Sequence, residues 1–280
     1  MVDDLKLAEL EATARELRYH IVKMMGAGKA HHFGGSLSIV ELITALYFYK
    51  MRYDPSDPRW DGRDRFVMSK GHTVPAQYVA LAKLGVLPIG ELTTLKQLGS
   101  ILQGHPNACM TPGLEACTGS LGQGLSFANG VAMAARIRGL DIRVYCLLGD
   151  GELQEGQVWE AAMGSVTHRL DSLCAIVDRN GLKSQGVVDE AKNLEPLAQK
   201  WEAFGWHTIA VDGHDLGQIC NALDSAETVK GKPTVIIAKT VKGKGVQFME
   251  GKFQFHNAPI TQEQWEDAMQ ILALNQEVAR

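Results

Sequence analysis

No stretch of this 280-residue sequence is apolar and uninterrupted for long enough to span a bilayer as a helix, so no membrane partner is expected. The N-terminus, Met-Val-Asp-Asp-Leu-Lys, is acidic and lacks the basic and apolar regions of a signal peptide, which makes a cytosolic (cytoplasmic) protein the expectation. Positive charge is not in excess either. With 28 Lys and Arg against 32 Asp and Glu the net charge is -4, which leaves no electrostatic footprint for nucleic acid. The five cysteines (Cys109, Cys117, Cys146, Cys174, Cys220) are odd in number and form no Cys-x-x-Cys pair. Neither a disulfide framework nor a zinc site follows, and all five read as reduced, Cys146 and Cys174 acting as small apolar side chains within strand patterns. Internal repeats, low-complexity segments and long charge runs are absent, so no flexible linker divides the chain. At 45% hydrophobic it can bury a full core, and residues 1–280 read as one domain.

What the sequence does contain is concentrated between Gly149 and Gly186. Arg143-Val-Tyr-Cys-Leu-Leu148 is a continuous apolar run of the kind found in strands covered on both faces. It ends in Gly149-Asp-Gly151. Residues 155–168 then carry Val158, Ala161, Ala162 and Val166 at helical spacing, and Leu173-Cys-Ala-Ile-Val177 is a second strand ending in Asp178-Arg-Asn-Gly. A right-handed crossover places Asp150 and Asn180 at the same edge of a parallel sheet, where such sheets bind ligands. A carboxylate and an amide oxygen presented together suit Mg2+ or Ca2+ and not zinc. By spacing alone, a strand-end turn and a helix cap explain the same residues. Strand-helix alternation from Arg143 onward predicts an α/β fold, a doubly wound parallel sheet with helices on both faces.

The pair Gly149-Asp-Gly-Glu-Leu-Gln-Glu-Gly156 and Val177-Asp-Arg-Asn-Gly-Leu182 resembles the thiamine diphosphate motif of the transketolase family. The resemblance implies that Asp150, Asn180 and the main-chain carbonyl of Leu182 hold the metal, and that Gly149, Gly151 and Glu155 belong to the cofactor site, with Glu155 at a dimer interface. Arg179 stands where the family often has a first asparagine. Other loops resemble the family in the same order. Lys29-Ala-His-His-Phe-Gly-Gly-Ser36 is similar to Gly-His-x-Gly-Gly-Ser and places His32 on the histidine facing the reacting sugar, with His31 in the place of glycine. Ser69-Lys-Gly-His72 gives His72 a contact to thiamine diphosphate. Gln103-Gly-His-Pro106 makes His105 a second substrate-side histidine. Thr118-Gly-Ser-Leu-Gly-Gln-Gly124 puts the main chain of Gly119, Ser120 and Leu121 on the cofactor. Lys242-Gly-Lys-Gly245 and Phe255-His256-Asn-Ala-Pro259 look like a loop closing over it, with His256 handling a proton or contacting phosphate.

Two glycine-rich alternatives are set aside on spacing. Gly122-x-Gly124 follows no strand and lacks the third glycine of a dinucleotide fingerprint, and Lys242-Gly-Lys-Gly245 lacks the Ser or Thr of a phosphate-cradling P-loop. The remaining periodicity predicts helices over residues 5–25, 38–49, 75–82, 124–139, 195–204 and 261–278, and strands over 206–211 and 233–239. Asp215 is read as an N-cap, and His207 and His214 as structural.

The implied activity is transfer of a two-carbon ketol unit between a ketose and an aldose, usually sugar phosphates, with His32, His105 and His256 as catalytic residues. The family completes its site with a second, pyrimidine-binding domain that should follow the region ending here. The expectation is therefore the N-terminal subunit of a split transketolase, paired as α2β2 with a separate C-terminal subunit encoded by a neighbouring reading frame. His31 and Phe33 point to a specialised substrate such as a branched sugar phosphate. A 1-deoxyxylulose-phosphate synthase, the α subunit of a 2-oxoacid dehydrogenase and a non-catalytic thiamine diphosphate-binding protein share the Gly-Asp-Gly motif and stand as alternatives.

Overall fold

The structure, a computed structural model, describes residues 2–277. Among the described residues, seven strands occur in the order β1 (Arg65–Met68), β2 (Val144–Gly149), β3 (Leu173–Arg179), β4 (Leu182–Lys183), β5 (Gly186–Val187), β6 (His207–Asp212) and β7 (Thr234–Lys239). Five of them form one parallel sheet, β1-β2-β3-β7-β6, and β4 and β5 pair as a small antiparallel hairpin beside it.

Period-two alternation along the strands feeds two cores. Tyr145, Leu147, Cys174 and Ile176 join one face, and Val144, Cys146, Leu148, Ala175 and Val177 the other. The first face is covered by α1 (Asp4–Met25), α2 (Phe33–Leu37), α3 (Val40–Ala45), α4 (Val74–Lys83) and, later in the chain, helices over 216–228 and 262–277. The second is covered by α5 (Gly124–Ile137), α6 (Gly156–Thr167) and, after the short α7 (Val188–Ala191), α8 (Leu197–Ala203). With α9 (Leu216–Thr228) and α10 (Gln262–Glu277) the doubly wound arrangement expected from the alternation is complete. Asp215 caps α9 as expected, its side chain accepting from Gln218 N–H at 2.9 Å.

Two elements differ from the sequence pattern. The helix expected over 38–49 starts earlier, at Phe33, and is interrupted at Ser38 and Ile39, then ends in a π-turn over Leu46–Lys50. Ser38 is drawn out of the regular pattern because its hydroxyl lies 2.7 Å from the buried Asp178 carboxylate and 3.0 Å from the Gly35 carbonyl. The last helix runs to Glu277, and its expected final residue, Val278, lies outside the described residues.

The connectivity fixes where a ligand can bind. The chain leaves β3, makes β6 on the outside and returns to insert β7 next to β3. The connections to β3 and to β7 run over opposite faces, α6 on one and α9 on the other, so a crevice opens at the carboxyl ends of the strands.

Candidate functional site

That edge collects Ser69 to His72 after β1, Asp150 after β2, Asn180 after β3 and Thr240 to Lys242 after β7. Between them lies a cleft of about 300 Å3 lined by residues including Gly35, Lys70, His72, Leu121, Gly149, Asp150, Gly151, Glu155, Asn180, Leu182, Lys242 and His256. Strand register accounts for the pairing of the two key loops, since Gly149 lies opposite Asp178 and the Asp150 N–H donates to the Asp178 carbonyl at 3.2 Å.

The oxygens expected to act together do converge. The Asp150 carboxylate accepts from Gly151 N–H at 2.7 Å and from Gly181 N–H at 2.5 Å, which ties it to the loop holding Asn180 and Leu182. The Asn180 amide NH2 donates to Asp178 at 2.8 Å, and this fixes which end of the amide is the oxygen; that oxygen accepts from Leu182 N–H at 3.1 Å. The Leu182 carbonyl has the Lys242 ammonium at 3.4 Å. Burial, and then the neighbouring Asp178 charge, push the Asp150 carboxyl above its usual range. A cation at this position would relieve both. The donor set is carboxylate, amide oxygen and carbonyl, which fits a hard divalent ion. No cluster of three or more His, Cys, Asp or Glu able to hold a metal occurs among the described residues.

Beneath the cleft a polar network sets these groups in place. Asp178 is fully buried and accepts from Lys70 Nζ at 2.5 Å, from the Ser38 hydroxyl, from the Asn180 amide and from the Thr240 hydroxyl. Burial alone would raise its carboxyl, but the Lys70 charge and hydrogen bonds from Lys70, Thr240 and Ser38 outweigh burial and hold it below the ordinary value. Glu152, also buried, joins three loops by accepting from the Ser69 hydroxyl, Gly122 N–H at 2.9 Å and Gly149 N–H at 3.0 Å. Lys242 is buried with its ammonium brought down to about 8, by burial first and by the Lys70 charge second. Two buried lysines at one strand edge are suited to an anion such as a diphosphate.

The histidines gather at the same edge although they come from four separate loops. The His72 ring centroid is 4.9 Å from His32 and 5.0 Å from His256, and His32 lies 5.5 Å from His256 and 6.2 Å from His105. His256 lines the cleft, and its Nδ1 is buried with no partner among the described residues, an orphaned polar atom. Burial is the main cause that brings His32 down to about 3 and His256 and His31 to about 4, and it lowers His72 and His105 as well. Neutral imidazoles at pH 7 can both accept and donate a proton.

A pH dependence follows with a definite sign. These histidines bind protons less readily in the folded than in the unfolded chain, so their contribution to stability is present above about pH 6.5, the unfolded value. It is lost as pH falls toward about 4 and then about 3, the folded values of His256 and His32. Urea unfolding at pH 7.0, 5.5 and 4.5 is expected to show a progressive fall that is reduced in a His32→Phe variant.

Several expected residues sit elsewhere. Gly119 and Ser120 do not line the cleft; Gly119 packs against the His105 ring, where a Cβ would lie 3.0 Å from Cδ2, and Ser120 faces solvent, leaving Leu121 as the lining residue of that loop. His32 and His105 stand at the mouth: the His32 ring meets the cleft histidines His72 and His256, and His105 reaches them only through His32. His214 is structural as expected, its ring bridging Glu41 at 3.0 Å and the Val241 N–H at 2.8 Å. Arg179 does not leave Asp150 free: it contacts that carboxylate at 3.2 Å while also pairing with Asp189 and Glu195. Lys70, Glu152, Asp178, Thr240 and Lys242 were not singled out from sequence. The signal for Lys70 lay inside Ser-Lys-Gly-His, and that for Lys242 in a Lys-Gly-Lys-Gly run that does not fit a P-loop.

A parallel sheet whose carboxyl edge combines hard oxygen donors, buried cations and neutral histidines defines a diphosphate-cofactor-binding α/β domain of the kind used in group transfer. The chain belongs to the transketolase family: the model described as "Transketolase, thiamine diphosphate binding domain" matches residues 9–279. Among its relatives, the 6-deoxy-6-sulfo-D-fructose transketolase subunit SqwG of Clostridium sp. (strain MSTE9) is 45% identical, covering 93% of this chain and 95% of that protein. A subunit of the apulose-4-phosphate transketolase of Phocaeicola vulgatus is 42% identical, covering 95% of this chain and 94% of that protein. The solved transketolase from Leishmania mexicana superimposes with a TM-score of 0.84 at 30% identity, all of this chain matching 45% of that one. The chain thus spans under half the length of such single-chain transketolases and nearly the whole length of the two subunits.

Proposed function

We propose that this chain is the thiamine diphosphate-binding subunit of a two-subunit transketolase, which transfers a two-carbon ketol unit from a ketose donor to an aldose acceptor once a separate pyrimidine-binding subunit completes the site. The observation that carries the reading is the convergence of Asp150, Asn180 and the Leu182 carbonyl with Lys242, His72 and His256 in one strand-edge cleft, with the His32 ring against both of those histidines and His105 against His32. The near full-length match to proteins named as transketolase subunits supports the two-subunit form. We place the assembly as α2β2 and cytosolic, with Mg2+ as the metal.

In this reading Asp150, Asn180 and the Leu182 carbonyl hold the metal, and His72, Lys242 and His256 Nδ1 bind the diphosphate. Thiamine diphosphate, when bound, supplies the nucleophilic carbon that accepts the ketol unit. Everything else falls to the chain. Glu152 holds the Ser69, Gly122 and Gly149 loops at fixed separation, and Asp178 turns Asn180 so that its amide oxygen is available. His32, His105 and His256, neutral at pH 7, take and return protons on sugar hydroxyl and carbonyl oxygens. The substrates named for the relatives, 6-deoxy-6-sulfo-D-fructose and apulose-4-phosphate, make anionic sugars the first class to screen. The test is reconstitution with the product of a neighbouring reading frame, thiamine diphosphate and Mg2+: ketol transfer from an anionic ketose is expected, and turnover by this chain alone would contradict the two-subunit form.

A further inference from the structure

Lys96 belongs to none of the motifs described so far and does not line the cleft, yet its placement is unusual. Its backbone takes φ 59°, an uncommon conformation for a residue with a side chain, and is held there by its N–H donating to the Leu102 carbonyl at 2.9 Å. Its ammonium donates to the Ala30 carbonyl at 3.0 Å, immediately before His31 and His32. Its stem covers Gly104, immediately before His105: a Cβ built on Gly104 would lie 2.7 Å from Lys96 Cε. One side chain therefore touches both loops that present the substrate-side histidines, whose rings are 6.2 Å apart.

We propose that Lys96 is the positioning residue of this histidine pair, clamping the loop of residues 29–36 to that of 103–106 so that His32 and His105 face the same substrate. Gly104 is part of the device, since a side chain there would meet the lysine stem. The ammonium has no carboxylate partner among the described residues, and its charge faces His31, His32 and His105. The other charged or titratable groups around these rings are Lys29 beside His31, and His72 and His256 from the cleft side, with Lys70 and Lys242 behind His256. The charge thus adds to burial in keeping both histidines neutral.

The turnover part of the test rests on the two-subunit function proposed here; the spectroscopic part does not. In the isolated chain, histidine Cε1 NMR titrations of wild type, Lys96→Met and Lys96→Arg are compared. The methionine variant is expected to raise the His32 and His105 midpoints by at least a few tenths of a pH unit, and arginine to leave them near wild type. In the reconstituted complex, Lys96→Met is expected to lower kcat by about tenfold or more with little change in KM, because misplaced groups slow the chemical step without weakening substrate binding. Arginine is expected to restore most of it, at an unchanged unfolding midpoint. Wild-type kcat in the methionine variant, or midpoints that do not move, would overturn the role given to Lys96. A wild-type complex that transfers no ketol unit would overturn the functional reading instead, and the NMR comparison would still decide on Lys96.

Discussion

Replacing Asp150 by alanine is expected to weaken thiamine diphosphate binding by about a hundredfold or more in the presence of Mg2+, and hardly at all in EDTA, where little binding remains to lose. The asymmetry follows from what the carboxylate does with and without a cation. It is 2% exposed, receives two backbone N–H groups, and lies close enough to Asp178 that burial and that second charge both oppose its ionisation. Without a metal the charge is a cost to the fold; with one it is the only formal negative charge among the three proposed oxygen ligands. Calorimetric titration of the reconstituted complex, wild type and variant, each with Mg2+ and with EDTA, measures this directly. An Asp150→Ala complex that binds the cofactor as tightly as wild type in Mg2+ would rule out a metal site at this carboxylate.

Substituting Lys70 by methionine is expected to produce the largest loss of stability, about 3–5 kcal/mol, because it leaves a fully buried carboxylate with no ionic partner. Lys70 Nζ and Asp178 Oδ2 are 2.5 Å apart, with side chains 4% and 0% exposed. Hydrogen bonds from Ser38, Asn180 and Thr240 remain in the variant, but none of these groups carries a charge. The pH dependence gives the sign. In wild type the Asp178 carboxyl is held below its unfolded value, so its stabilising contribution is present above about pH 4 and is lost as pH falls through the lower folded value. Without Lys70 burial dominates and the carboxyl rises, so the difference between wild type and Lys70→Met narrows toward acid pH as the carboxyl is protonated. Adding Asp178→Asn to Lys70→Met should recover part of the loss, since it removes the unpaired charge; denaturant unfolding of the four members of this cycle measures the coupling. A Lys70→Met variant within about 1 kcal/mol of wild type would show that the pair does not carry this network.

How much of this was readable beforehand depends on distance along the chain. Asp150 and Asn180 end two successive strands joined by one helix, so two continuous apolar runs, a glycine turn and the handedness of the crossover suffice to bring them to one edge. Asp215 was legible for the same reason, since a helix cap is decided within four residues. Lys242 was not. Its place depends on β7 inserting beside β3 after the chain has already made β6, which no local pattern in Pro233 to Lys242 records. The interruption at Ser38 has the same origin, because its hydroxyl answers to Asp178, 140 residues away. Of the histidines, resemblance identified the loops, but the order in which the rings meet, with His72 and His256 inside and His32 and His105 at the mouth, comes from the packing of four separate loops. Of the Gly119-Ser120-Leu121 loop, only Leu121 lines the cleft in this chain.

The central claim is that this strand-edge cleft grips a diphosphate through a divalent metal and is completed by a second subunit. The most direct measurement is titration calorimetry of thiamine diphosphate into this chain, with Mg2+ or EDTA, alone and with the product of a neighbouring reading frame. Metal-dependent binding is expected to appear, or to strengthen greatly, when the partner is present. No binding in any of the four conditions would contradict the claim, and the glycine-rich loops and buried lysines at the sheet edge would then need another ligand.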